Sequence, residues 1–353
     1  MRLGQWLGLL ALVISLYILW QIRQVVLLFF AAVVLATILN RVVRFLQRYR
    51  IKRGIAIAIT VVLLLAIIVG FVAGIVPSFI AQLQQLIKIL PQLSDRVRLW
   101  VDSVQSRLPV QIAQFQAINA LTQNLQTWIG RLLGNFFVIL NNSLSAVVNL
   151  LLFLVLTIMT LVNPTQYRRV FVLAFPAFYR RRVEEILDEC ETSLVGWIKG
   201  TLIDMLVIGV LSYIGLLLLR VPLPLVNAAL AGLLEFIPNV GPTLSIIPPT
   251  LLALADEPWK AVGVIVLYIA IQQFESLVLV PLVMAQQVSL LPVFTILAVV
   301  IFASLFGFLG LFLAIPLLVV TQIWLKEVLV KDVLNKWQRN DDKEDKETKG
   351  IEG

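Results

Sequence analysis

The chain has 353 residues, of which 60% are hydrophobic and 14% charged, with a formal net charge of +8. Soluble domains average about 45–50% apolar and about 25% charged residues, so this balance excludes an ordinary soluble globule and indicates an integral membrane protein. Histidine is absent and Cys190 is the single cysteine, which removes histidine triads, HExxH zinc sites, disulfide frameworks and histidine proton relays.

Apolar runs occur at 3–20, 25–39, 55–76, 136–162, 201–219, 225–255, 261–284 and 293–325. Runs such as Ile55–Val76 and Phe136–Val162 reach the ~20 residues that cross a ~30 Å hydrocarbon core. The first run lacks a small-residue cleavage site and reads as a retained span. Basic residues sit in short loops beside the spans, a pattern explained by the positive-inside bias and not by nucleic acid. The connection Asn40–Arg53 holds Arg41, Arg44, Arg48, Arg50, Lys52 and Arg53 and no acid, which marks it cytoplasmic. The first two runs are then expected to form a hairpin turning at Gln21–Gln24, with both chain termini cytoplasmic.

The segment 77–135 is expected outside the membrane on the far side. Ile80, Leu83, Ile87 and Leu90 repeat at helical spacing, which predicts amphipathic helices broken near Pro91 and Pro109. They would cap the protein's own spans, lie on the membrane or meet a neighbouring subunit. A second cytoplasmic connection carries Arg168, Arg169 and Arg180–Arg182, followed by acids from Glu184 to Glu191 on an amphipathic helix leading to the span near Thr201. Residues 339–353 form a charged tail expected to be disordered. The resulting organisation is an all-α polytopic membrane protein with about eight hydrophobic segments. Membrane spans occupy 1–76, an extracytoplasmic insertion 77–135, a span and connecting helix 136–200, a core with broken helices 201–338, and the tail 339–353.

Two runs are irregular. Leu225–Ala253 as one helix would be about 43 Å long, too long for a straight span, yet EFIPNVGP at Glu235–Pro242 divides it into pieces of about 20 and 16 Å. Gly307 and Gly310 divide 293–325 into pieces of about 21–22 Å in the same way. Each is either one kinked span or a re-entrant helical hairpin. With hairpins, 201–255 and 261–325 become units of opposite orientation, the usual build of secondary transporters. Broken backbone at membrane depth is tolerated only where protein buries it or it lines a wet cavity.

Intramembrane acids cost about 2.5–3.5 kcal/mol each at a helix centre, so each needs a partner, water or a proton. Glu235 adjoins the Pro-Gly break, with Asn239 as a partner or turn residue. Glu275 follows Gln272 and Gln273 in an apolar run. Both read equally well as coupling groups or as structural hydrogen-bonding groups. Asp204 lies near a span end, where an interfacial ion pair with Lys199 is the simpler reading. The candidate substrate- or ion-binding set is Glu235, Pro238, Asn239, Gly241, Pro242, Gln272, Glu275, Gly307 and Gly310, with no catalytic residue, metal site or cofactor.

The stretch Glu235–Pro242 with Ile246–Pro249, the block Gln272–Met284, VSLLP at Val288–Pro292 and FGFLGLFLAIP at Phe306–Pro316 resemble the motifs of the autoinducer-2 exporter family of bacterial permeases. A histidine common in that family before the proline is Leu291 here, and a glycine after the methionine is Ala285. The resemblance implies a homo-oligomeric, multi-pass permease of the bacterial cytoplasmic membrane; signalling-molecule export and sodium/proton exchange are both attributed to members. The expectation is a secondary transporter of a small solute, coupled to a proton or sodium gradient by alternating access. A passive channel and a membrane scaffold that binds partners are the alternatives. An enzyme is not expected.

Overall fold

The computed structural model of the chain describes residues 20–105, 143–238, 240–284 and 292–334, with isolated positions at 10, 14, 15, 17, 18, 124 and 127. Every regular element among them is helical. Helices satisfy their own backbone groups, which a chain in hydrocarbon must do. By length and composition, five helices among the described residues are apolar enough to cross a membrane, or six if one sharply bent pair counts as a span. Asn239, most of the VSLLP block, Pro109 and the tail 339–353 lie outside the described residues.

The chain divides into two compact units: Met1–Ile57 with Phe153–Ile198 and Gln287–Gly353, and Ala58–Leu152 with Lys199–Gln286. In the first unit, α1 (Arg23–Gln47) follows the single non-helical residue Ile22. The Ile22 amide bonds to the Ile18 carbonyl, and the Ile22 carbonyl accepts from Val26. Helical bonding on both sides of one residue makes a bend. The expected turn at Gln21–Gln24 is therefore missing, because two antiparallel helices need a loop of about 2–5 residues. Arg23 donates to the Trp20 carbonyl and stacks on its ring, 4.5 Å from the centroid.

Arg53 begins α2 (Arg53–Gln105) and donates to the carbonyls of Leu161 and Val162 at the end of α3 (Ser143–Val162). A guanidinium there satisfies orphan carbonyls and faces the negative end of the helix dipole. One residue of the basic loop is thus a structural clamp. Asn163 and Pro164 then bend the chain by 89° into α4 (Pro164–Leu173). Pro164 has no amide to extend α3 but suits the first turn of the next helix.

The acidic segment and the span near Thr201 are a single helix, α5 (Arg180–Leu218). Its first half buries Val183, Ile186, Cys190 and Leu194 in the first unit. There Arg182 donates to the buried Glu327 at 2.6 Å, and Glu327 also pairs with Lys331. Phe175 stacks on Trp324 at 5.9 Å.

In the second unit α2 runs unbroken through Pro77 and Pro91. Its 53 residues make a helix about 80 Å long, far more than a bilayer needs. The expected break at Pro91 does not occur, since an interior proline removes one hydrogen bond and kinks a helix without obliging it to end. The apolar run after Arg220 forms α6 (Pro224–Leu234), α7 (Val240–Ser245) and α8 (Ile247–Asp256). Next come α9 (Pro258–Phe274), a π-helical turn at Glu275–Leu279 and α10 (Val280–Met284). A core of Ile208, Leu216, Leu251, Leu252, Val264 and Tyr268 joins α5, α8 and α9, with Phe79 and Ile80 of α2 packed against it.

Back in the first unit, α11 (Pro292–Phe312) contains Gly307 at φ 65°, ψ −143° and is followed by α12 (Ala314–Trp324). A Cβ built on Gly310 would overlap the carbonyl of Phe302. Residues eight apart on a straight helix are about 12 Å apart, so the chain folds back at Gly307.

Candidate functional site

The second unit gathers the polar residues that the sequence singles out. α5 and α6 cross with their backbones nearly touching: a Cβ on Gly232 would stand 2.5 Å from the Met205 carbonyl and 3.3 Å from Gly209 Cα. Small residues permit such approach between membrane helices. Asp204 lies one residue before Met205, and Glu235 three residues after Gly232. The crossing therefore carries these two acids to the same level.

α6 ends at Leu234, and Glu235–Pro238 form a turn. The Gly241 amide donates to the Ile237 carbonyl at 2.8 Å. A Cβ on Gly241 would overlap the carbonyl of Leu234, so the chain doubles back here as it does at Gly307, and α6 packs on α7. Pro242 has no amide to need a partner, and its carbonyl accepts from the Ser245 hydroxyl at 3.0 Å. Gly241 thus allows the close approach, while Pro238 and Pro242 remove donors that a turn leaves unpaired.

α9 brings the third acid. Glu275 opens the π-helical turn, in which the Val280 amide donates to the Glu275 carbonyl. The wider turn accommodates Pro281, which would otherwise crowd the carbonyl four residues before it. Gln272 donates its Nε2 to Glu275 Oε2 at 3.0 Å.

The Glu275 and Glu235 carboxyls are close enough to act on one another, with Asp204 the next charge-bearing neighbour of both. Among the described residues no basic side chain acts on the group. Glu235 is 6% and Asp204 7% exposed, and one oxygen of each has no hydrogen-bond partner. Asp204 is therefore a member of the acid cluster, correcting the expected pairing with Lys199: the Gly209–Gly232 crossing turns it inward while Lys199 is exposed. Two facing carboxyls hold a proton between them readily. Among the described residues no three acids converge as a metal-ion cage.

Of the nine candidate residues, Glu235, Pro238, Gly241, Pro242, Gln272 and Glu275 lie in this unit. Asn239 is outside the described residues. Gly307 and Gly310 belong to the other unit, where phenylalanines line the fold-back and Phe302 stacks on Phe306 at 6.2 Å.

Sequence reasoning missed a second buried polar contact in the acid-bearing unit. Gln82 of α2 donates to Asn227 Oδ1 at 2.8 Å, and both residues are fully buried. Asn227 also donates to the Leu223 carbonyl at 3.1 Å, securing the start of α6 where Leu223 takes a left-handed conformation. The signal was a lone Asn in an apolar run, a residue costly in lipid unless bonded.

A model of the AI-2E family transporter matches residues 9–330. The chain is similar to "Putative transport protein YueF" of Bacillus subtilis, 27% identical over 84% of this chain and 82% of the relative. It is also 26% identical to "Putative transport protein YhhT" of Escherichia coli, over 84% and 82% of the two chains. "AI-2 transport protein TqsA" of Escherichia coli is 25% identical over 86% of each. With a family match across nearly its whole length and relatives covered over more than four-fifths of theirs, this multi-pass bacterial membrane protein belongs to the AI-2E transporter family.

Proposed function

We propose that the chain is a secondary transporter that moves a small solute by alternating access, with Glu235 and Glu275 carrying the coupling proton. The observation behind this reading is two neighbouring carboxyls, a third acid beside them, and no cationic partner among the described residues. Buried acids of this kind mark proton relays and ion pathways in transporters. The pair exchanges one proton with the solution each cycle, and Gln272 holds Glu275 in position. A sodium ion is the competing passenger, but it requires a closed set of oxygens. Among the described residues the acids form no such set.

The fold-back at Pro238–Pro242 is the moving element next to these acids. In the bilayer we assign it, and the fold-back at Gly307–Gly310, as re-entrant hairpins of opposite orientation. Short helices that end at membrane depth are the build in which such transporters place their sites. The N-terminal spans and the 77–135 insertion form the scaffold and the contacts of a homo-oligomer. The basic segments at Arg41–Arg53 and Arg180–Arg182, together with the C-terminus, face the cytoplasm. A small signalling molecule is the first substrate to test, because a relative similar over 86% of this chain is described as an AI-2 transport protein.

The test is flux in reconstituted vesicles with proton and sodium gradients imposed separately. Flux should follow the proton gradient in the wild type and lose that dependence in the Glu235→Gln, Glu275→Gln double variant. Full gradient-driven flux in the double variant would refute the coupling role, and equal flux with or without gradients would establish a passive channel.

A further inference from the structure

The acids occupy one end of a longer polar seam. Asp204, Ile208 and Ser212 repeat every four residues along one face of α5. Tyr268, Gln272 and Glu275 repeat at four and three along one face of α9. The helices run antiparallel, so Ser212 meets Tyr268 at one level and Asp204 meets Glu275 at another, about 10–12 Å away. Asp204 and Glu275 are near neighbours, and the Ser212 hydroxyl lies beside that of Tyr268.

Burial makes this second level unusual. Ser212 is fully buried and Tyr268 is 8% exposed, yet neither oxygen has a fixed protein partner of good hydrogen-bond geometry. Elsewhere in the chain, helical hydroxyls solve that problem locally. Thr157, Thr160 and Thr250 each bond to the carbonyl four residues back, at 2.7–2.8 Å. Ser212 leaves that bond unmade. Asp204 and Glu235 each keep a free buried oxygen at the other end. Four nine-tenths-buried oxygens along one seam thus lack a well-formed hydrogen bond, and each costs about 1–3 kcal/mol unless a small ligand bonds it.

The seam closes just beyond the hydroxyls. A Cβ on Gly215 would overlap Leu267, and Leu216 and Val264 are fully buried there. Water is the ligand that suits these buried oxygens, since it both donates and accepts and needs two to four polar partners.

We propose that the α5–α9 seam is an internal wetted cleft in which Ser212 and Tyr268 form a second station, passing protons to and from the Glu235–Glu275 pair through bound water. The proposal rests on the proton role assigned to that pair. In each hop a hydroxyl oxygen accepts a proton from a protonated water and releases its own to the next water or carboxylate, so the donor water and the hydroxyl both end neutral and the positive charge moves on. The apolar plug at Leu216, Val264 and Leu267 is the closed end of the path in this conformation.

The charged groups of this unit on the surrounding elements are Lys199 and Asp204 on α5, Arg220 just after it, Lys88 on α2, Glu235 after α6, and Glu275 after α9. Ion-paired Asp256, Glu257 and Lys260 stand at the α8–α9 corner. None of these acts on the Tyr268 hydroxyl at short range.

Radiolytic hydroxyl labelling of the full chain in lipid nanodiscs reads the water directly, because buried side chains oxidise only beside a bound water. Tyr268 should be labelled despite its burial, while Tyr213, at 37% exposure on the apolar α5 next to Ser212, stays unlabelled. Ser212→Val should remove the Tyr268 label. In vesicles holding a pH-sensitive dye, Ser212→Val and Tyr268→Phe should each slow proton entry several-fold under an imposed pH gradient. A fluorinated tyrosine at 268, which keeps the hydroxyl, should restore it. An unlabelled Tyr268 in the wild type overturns the proposal whatever the variants do. Proton entry unchanged in both hydroxyl variants but lost in Glu235→Gln overturns it and leaves the role of the acid pair standing. Proton entry unchanged by Glu235→Gln and Glu275→Gln overturns that role, and the proposal with it.

Discussion

The two fold-backs, at Glu235–Pro242 and at Gly307–Gly310, use one device with opposite surroundings. In each, a glycine just past the break presses on the backbone of the helix before it: Gly241 on the Leu234 carbonyl, and Gly310 on the Phe302 carbonyl. The first turns through prolines and gathers three acids. The second turns through one glycine at φ 65° among Phe302, Phe306, Phe308 and Phe312. Chain reversal inside an apolar run thus needs only a side-chain-free contact, and the chemistry at the tip is chosen separately.

The largest effect should come from attacking what they share. Gly241→Ala and Gly310→Ala each push a methyl into backbone, which cannot swing aside like a side chain. Each should cost about 3 kcal/mol or more, the upper end of overpacking. The expected outcome is a sharp fall in Tm or in monodisperse yield. A wild-type Tm for either variant would mean that its fold-back is not tight.

Gly307→Ala separates conformation from crowding. No atom lies within 4 Å of a Cβ there, so the whole cost is the strained backbone angle, about 1–3 kcal/mol. Thermal unfolding should show a smaller loss than Gly310→Ala.

Chemistry distinguishes the pair next. Glu235→Leu removes a buried oxygen without a partner but also takes the neighbouring carboxyl from Glu275, so the two effects should largely offset and Tm should stay near that of the wild type while proton-driven flux is abolished. Phe306→Leu, at the other fold-back, should lower Tm modestly and spare coupling. If Glu235→Leu lowered Tm, the carboxyl would have to be structural.

The smallest effect concerns a buried acid with two cationic partners. Burial pushes the Glu327 carboxyl up, but Lys331 and Arg182 outweigh it and hold it below its ordinary 4.5. A depressed value means the tie contributes fully above about pH 4.5 and is lost as pH falls through the folded-state value. The Tm difference between wild type and Glu327→Gln should therefore be constant from about pH 7 to 5 and close below about 4.5. A gap that closes nearer neutrality would place the titration elsewhere.

Much was legible in the chain itself. Helical class and membrane residence followed from apolar run length, because hydrocarbon leaves the backbone no other partner. Both breaks followed from Pro and Gly placement. Glu235 and Glu275 stood out because a carboxyl in an apolar run is costly wherever it lands. Other features were not legible. Pro91 looks like a stop yet sits inside an 80 Å-scale helix, since one lost bond is outweighed by those on either side. Gln21–Gln24 looks like a turn and is a one-residue bend.

Which acids meet was decided only in three dimensions. The sequence fixes the cost of a buried charge, because that depends on residue type and apolar context. It does not reveal which helices touch, because contacts between Gly209 and Gly232, or between Gly215 and Leu267, depend on crossing angle and register. Those contacts turned Asp204 from an expected surface partner of Lys199 into a neighbour of two glutamates. They also set Ser212 beside Tyr268, two hydroxyls distant in sequence and unremarkable there.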